Sequence, residues 1–182
     1  MRGAKKLGDS VEATRNGRNA LKVVWDEGRN AGLSSEELRK TAKERSPQPG
    51  SNSNLMDAIY EIPFEAHTTM EPMNCTAHVH DGVCEVWAPT QNPQAVRAQV
   101  ASRTRISQAD VTVNVPLIGG AFGRRIQTDY AVEAALVSQA IGGPVQVVWT
   151  RDDDIQHDFY HDLSVLYASV ARKKLNIPRV VP

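Results

Sequence analysis

Apolar and polar positions alternate most clearly on either side of Asp81-Gly82, where residues 76–80 and 83–87 read as two strands joined by a two-residue turn. An Asp-Gly pair supplies the positive φ angles of a type I′ turn, so the register follows: His80 opposite Val83, Val79 opposite Cys84, His78 opposite Glu85. Ala77, Val79, Cys84 and Val86 then share one face, expected to be core, and His78, His80 and Glu85 share the wetter one.

The period changes downstream. Residues 93–103 read as an amphipathic helix with Pro93 in its first turn and Asn92 as cap, and 111–115 alternate as a strand within a β-like run that reaches Ile118. Residues 129–141 place Val132, Ala135, Leu136 and Gln139 at helical spacing before Gly142-Gly143 and Pro144 stop the helix. Residues 145–149 form another strand, and Asp152-Asp153-Asp154 suit the positive end of a short helix. The order is hairpin, helix, strand, helix, strand. It predicts an α/β (α+β) fold with a mixed sheet.

Upstream the pattern is weaker. Residues 9–20 read as a short helix interrupted at Gly17, 21–25 as a strand, and 35–44 as a polar helix behind the Ser34/Glu37 capping box. Residues 46–54 have linker composition, and residues 58–64 alternate like a strand that Pro63 confines to an edge or a strand end. Residues 67–74 read as an irregular loop.

Composition narrows the function classes. Lys+Arg and Asp+Glu both total 21, so no net field favours nucleic acid or an anionic membrane. No apolar run approaches the roughly 20 residues of a membrane span, and the basic opening lacks the apolar region of a secretory signal, so the chain as given reads cytoplasmic. Two cysteines imply no disulfide framework.

Four groups of residues invite chemistry. Gly119-Gly120-Ala121-Phe122-Gly123-Arg124-Arg125 lies between a β-like run and a helix-like run, where backbone N–H groups and a helix dipole receive anions; the same residues also suit a plain turn. Thr90-Gln91-Asn92-Pro93 occupies an equivalent strand end, and the Gln91 amide is open to two roles, capping the helix or donating to a ligand. Cys75, His78, His80 and Cys84 have the residue types of a zinc site, but the hairpin register points the histidines away from Cys84, so no metal site is expected. Asp152, Asp153, Asp154, His157, Asp158, His161 and Asp162 lack the glycine and spacing of a calcium loop and read as a solvated helix face. Neither a nucleophile elbow nor a Walker lysine is present.

Together, residues 66–79 (AHTTMEPMNCTAHV), 85–97 (EVWAPTQNPQAVR), 119–125 (GGAFGRR) and 142–155 (GGPVQVVWTRDDDI) resemble the molybdenum-binding large subunit of the xanthine dehydrogenase and aldehyde oxidase family. The nearest resemblance is to its isoquinoline 1-oxidoreductase β-subunit branch. It implies a partial first molybdopterin-binding domain and a molybdenum–molybdopterin cofactor, typically the cytosine dinucleotide. The activity it implies is hydroxylation of an aldehyde or N-heterocyclic carbon with water-derived oxygen. The implied partners are a small iron–sulfur subunit with 2Fe-2S clusters and a cytochrome electron acceptor. Gln91 takes the place of the glutamine beside a molybdenum oxygen ligand, and Gly120, Ala121, Phe122, Gly123 and Arg124 the place of the cofactor loop. Arg124 and Arg125 are open to pairing with cofactor phosphate or with a nearby carboxylate.

Departures from the family pattern set further expectations. Xanthine-oxidising relatives carry a glutamate where this chain has Ile126, which argues against a hydroxypurine substrate. The family's catalytic glutamate lies near the end of a far longer subunit, so no catalytic base is expected among these residues. The expected organisation is 1–45, the end of a hammerhead-type domain with a connecting helix; 46–57, linker; 58–160, partial molybdopterin-binding domain; and 161–182, a divergent tail. The expectation is an incomplete, inactive piece of a molybdenum oxidoreductase whose parent resides in the cytoplasm or the periplasm. The alternative is a non-catalytic fragment that docks to partner subunits.

Overall fold

The computed structural model describes residues 8–46 and 55–171. Helix α1 (Val11–Asn19) begins at Ser10, whose hydroxyl accepts from Ala13 N, and α2 (Ser35–Arg45) begins at Ser34, which accepts from Glu36 N. No residue of either helix is fully buried. The strand expected at 21–25 does not form. Val24 is 95% exposed, and a strand without a neighbour leaves its backbone groups unpaired.

Strand β1 (Leu55–Ile62) ends immediately before Pro63, as the missing N–H requires. It starts inside the stretch expected to be linker, of which residues 47–54 lie outside the described residues. The hairpin is β2 (Asn74–His80) and β3 (Val83–Trp87), with the expected pairs His80↔Val83, Val79↔Cys84 and His78↔Glu85. Asp81 and Gly82 both have positive φ, 46° and 80°. Helix α3 (Pro93–Thr104) is capped by the Asn92 side chain, which accepts from Ala95 N. Strand β4 (Val111–Asn114), helix α4 (Asp129–Ile141), strand β5 (Val145–Val148) and helix α5 (Arg151–Gln156) follow, with Thr150 and Asp153 closing a capping box on α5. Strand β6 (Ser164–Ala171) lies in the stretch expected as a divergent tail and pairs antiparallel with β1 along its whole length; residues 172–182 of that stretch lie outside the described residues.

The larger sheet runs β4-β3-β2-β5, with β3 and β4 parallel across α3 and the other pairs antiparallel. Helix α4 therefore carries the chain from one edge of the sheet to the other. It packs over β2, and α3 lies against it. The buried stripe of α4 is Ala131, Ala134, Ala135 and Ser138, whereas Leu136 is 40% exposed and Gln139 is exposed. Small side chains bring the helix close to the sheet, and that contact displaces the bulkier stripe expected from the sequence. Ser138 secures the approach, accepting from Val79 N at 2.8 Å and donating to Gly143 O at 2.7 Å.

Cys75 and Cys84 are free, fully buried thiols within this core. Burial pushes the Cys75 thiol from 9.0 up to about 12 and Cys84 up to about 11. Both stay protonated in the folded chain, and the stability they add is lost as pH rises above 9.0, where the unfolded chain ionises first.

Candidate functional site

Strand β4 stops at Asn114, and residues 115–118, expected as a continuation, run exposed to Gly119, with Leu117 98% exposed. The glycine loop then bends sharply, with φ of 99° at Gly120, 51° at Phe122 and 106° at Gly123. A phenylalanine in the left-handed region stores strain, and Phe122 does so with its ring 67% exposed. The loop does not pass straight into the helix. Arg124–Ile126 form a 3-10 turn and α4 starts at Asp129, so the helix N-terminus lies away from the glycines.

Arg125 explains why the loop holds this shape. Its side chain is completely buried, and Nε donates to Gly120 O at 2.9 Å, Nη1 to Pro89 O at 3.2 Å and Nη2 to Glu71 O at 2.7 Å. One guanidinium thus joins the end of β3, the segment before β2 and the glycine loop. Glu71 strengthens the joint: its Oε2 accepts from Gly119 N at 2.7 Å and lies 3.3 Å from Arg125 Nη2. A Cβ on residue 119 would stand 2.6 Å from Glu71 Cβ, so only glycine fits there. Tyr130 on α4 also donates to Pro89 O at 2.9 Å, and burial raises its phenol above the usual range.

The 90–93 turn and the glycine loop meet directly. Thr90 Oγ1 and Gln91 N both donate to Arg125 O at 3.0 Å, and Gly123 N donates to Gln91 Oε1 at 3.2 Å. A backbone donor requires the amide oxygen, so the Gln91 NH2 group is presented as a donor on the exposed side. Beside it, the N–H groups of Gly120, Ala121 and Phe122 donate no hydrogen bond among the described residues. Free backbone donors on a loop with positive φ angles, next to an oriented amide, make an anion-accepting lip.

Arg124 faces the other way. Its Nη1 and Nη2 form a two-pronged pair with Asp129 at 3.0 and 2.8 Å, and its guanidinium lies between the Trp149 and Phe159 rings, 5.4 and 5.1 Å from their centroids. Its Nε is 3.1 Å from Asp158 Oδ1, an ion pair without hydrogen-bond geometry. Burial lowers its proton affinity, but Asp129, Asp158 and Asp154 more than offset this and leave it raised. Of the two pairings open to the Arg124 side chain, the structure shows the carboxylate one: the side chain is 1% exposed, beside Asp129 and Asp158.

The acidic stretch is corrected in part: Asp152, His157, His161 and Asp162 are exposed, but two of its carboxylates are not. Asp154 is 3% exposed and pairs with Arg151, and the Asp158 side chain is 2% exposed beside Arg124 and His67. Burial raises the Asp154 carboxyl against the opposing pull of Arg151 and Arg124. Arg151 reaches back to Thr69 O at 2.6 Å and Met70 O at 3.1 Å, supporting the strand-free segment from which Glu71 projects. Among the described residues no cluster of metal-ligating side chains occurs, and Cys84 faces the core while His78 lies opposite Glu85. His67 and Glu71 were not singled out individually from the sequence, where they lie in a segment without periodicity; Arg125 and Asp158 were, but not for the joints that they make here.

Residues 50–174 match the family model of the molybdopterin cofactor-binding domain. The chain belongs to this family. It is 32% identical to isoquinoline 1-oxidoreductase subunit beta of Brevundimonas diminuta, over 84% of this chain and 18% of that protein. It is 31% identical to the membrane-bound aldehyde dehydrogenase (pyrroloquinoline-quinone) of Gluconacetobacter polyoxogenes, over 87% of this chain and 23% of that one. The chain thus spans 18% and 23% of the length of these curated relatives. The fold resembles quinoline 2-oxidoreductase from Pseudomonas putida 86, with a TM-score of 0.58, 22% identity, and coverage of 67% of this chain and 16% of that one. It also resembles the CO dehydrogenase of Oligotropha carboxidovorans, with a TM-score of 0.57, 19% identity, and coverage of 76% and 17%. In this molybdopterin-binding domain, the match reaches beyond residue 160 and takes in β6.

The donor set fits the group. A molybdenum–pterin cofactor carries phosphate and anionic oxygen, and the lip offers the Gln91 NH2 with three free main-chain N–H groups. Phe122 supplies an apolar edge beside them.

Proposed function

We propose that this chain forms part of the large subunit of a molybdenum hydroxylase that oxidises an aldehyde or N-heterocyclic carbon with water-derived oxygen. Gln91 and residues 120–123 form one wall of its cofactor pocket. The cofactor is the cytosine dinucleotide form of molybdopterin, and the electrons leave through a small iron–sulfur subunit with 2Fe-2S clusters, with a cytochrome as a further acceptor. When bound, the cofactor supplies the two-electron redox chemistry. The chain's own part is to bind and orient: Gln91 donates from a fixed amide, the loop N–H groups hold negative charge, and Phe122 limits access to the pocket.

The observation that carries this reading is the orientation of Gln91. Its Oε1 is taken by Gly123 N at 3.2 Å, so the free end of the exposed amide is a donor, not an acceptor. Gln91→Leu keeps the bulk and removes both the donor and the oxygen that accepts from Gly123 N. A hydrogen bond to a charged group contributes about 1.5–3 kcal/mol, so the variant is expected to retain roughly tenfold less molybdenum and pterin at unchanged thermal stability. Equal cofactor content in variant and parent would defeat the reading, as would extracted pyrroloquinoline quinone in place of pterin.

A second reading rests on the β1–β6 ribbon. Met56, Tyr60, Leu166 and Val170 lie on one face, each more than half exposed, and an uncovered apolar face of this kind marks a protein interface. On this reading the chain is a non-catalytic module that docks to partner subunits. A stable complex that carries no cofactor distinguishes it from the first.

A further inference from the structure

His67 lies in the segment before β2, and its side chain is 7% exposed. Its backbone N–H donates to Asp158 Oδ2 at 2.5 Å, and its ring Nδ1 lies 3.0 Å from both Asp158 oxygens. A carboxylate only accepts, so Nδ1 carries a proton and the ring is fixed in plane and tilt. A second ring, that of His161, lies against it, tilted by 40° with centroids 4.2 Å apart, and main-chain bonds between Glu65 and His161 hold the two segments together.

The far side of the ring faces the glycine loop. His67 Nε2 is 3.5 Å from where a Cβ on residue 123 would stand, and only His67 atoms lie within 4 Å of that point. Gly123 is also the residue whose N–H sets the Gln91 amide, and its φ of 106° excludes ordinary side chains. Asp158 thus holds the His67 ring, the ring stands beside Gly123, and Gly123 N–H holds the Gln91 amide, so the four residues lie in succession from the buried carboxylate to the exposed donor.

We propose that His67 is a positioning residue: held by Asp158, its imidazole supports Gly123 from beneath and thereby fixes the direction in which the Gln91 amide donates. The cofactor part of this inference rests on the proposed function. The support of the loop does not, because it is a property of the chain alone. A buried histidine that only filled space would not couple to an amide on the far side of Gly123.

The test is amide hydrogen exchange and nitrogen NMR on the purified chain, with cofactor content measured on the same samples. His67→Asn keeps a donor for Asp158 and removes the ring. It is expected to speed exchange at Gly123 N–H roughly tenfold and to shift the Gln91 side-chain NH2 resonances, with β2 and α4 amides unchanged. Unchanged exchange and resonances at Gly123 and Gln91 would overturn the proposal. Should the variant fail to fold, the parent chain decides: a proton on His67 Nδ1 supports the proposal, and a neutral ring protonated only at Nε2 overturns it. If the Gly123 and Gln91 changes appear in a chain that binds no cofactor, the positioning role stands and the functional reading fails.

Discussion

Arg125→Met is expected to destabilise the domain by about 3–5 kcal/mol, because it withdraws a fully buried guanidinium from three main-chain carbonyls and from the partly exposed Glu71 carboxylate. Methionine matches much of the length of arginine but donates nothing. Gly120 O and Pro89 O lose an arginine partner, and Glu71 loses both its carbonyl contact and its charge partner. Domains of this size are stable by about 5–15 kcal/mol, so the loss consumes a large share of the total. The midpoint of urea unfolding measures it, and a loss under about 1 kcal/mol would show that Arg125 does not carry the joint. Arg125→Lys is expected to recover only part, because an ammonium cannot make three divergent planar contacts.

The second large effect is expected at Asp158. Asp158→Ala removes the acceptor from His67 N and Nδ1 and the carboxylate from beside Arg124 Nε. Arg124 keeps Asp129, so the expected loss is about 3 kcal/mol, the low end for a broken buried pair. Asp158→Asn keeps one acceptor oxygen and is expected to lose about half as much. Differential calorimetry of the two variants checks the order, and an Asn variant as unstable as the Ala variant would contradict the role given to the remaining oxygen.

The elements that the sequence disclosed are those whose cause is local. Asp81-Gly82 fixes a turn, the turn fixes a register, and the register places Cys84 in the core and His78 opposite Glu85. Asn92 with Pro93, and Asp129 up to Gly142, define helices by their ends. Gln91 and the glycine loop were legible through family resemblance, and the contact between Gly123 N and Gln91 Oε1 brings those two segments together in space.

What escaped depends on partners far away in the chain. Periodicity scores Asp154 and Asp158 as polar positions on a solvated face, yet both are buried because Arg151 and Arg124 are there to meet them. The stripe of α4 shifted for a similar reason: small residues win where a helix must approach a sheet closely, and hydrophobicity alone favours Leu136. Residues 164–171 looked like a tail because their partner strand lies more than a hundred residues earlier, at Leu55–Ile62. Arg124 presented two options in the sequence, and Asp129 and Asp158 settle its side chain on the inward one.

The central claim is that Gln91 and the loop from Gly120 to Gly123 face a bound molybdopterin. The most direct measurement is the molybdenum and pterin content of the chain purified from cells supplied with molybdate, with the nucleotide released by hydrolysis identified. The account predicts near-stoichiometric molybdenum together with pterin and a cytosine nucleotide, all lowered together roughly tenfold in Gln91→Leu. A folded chain that carries neither molybdenum nor pterin would contradict it.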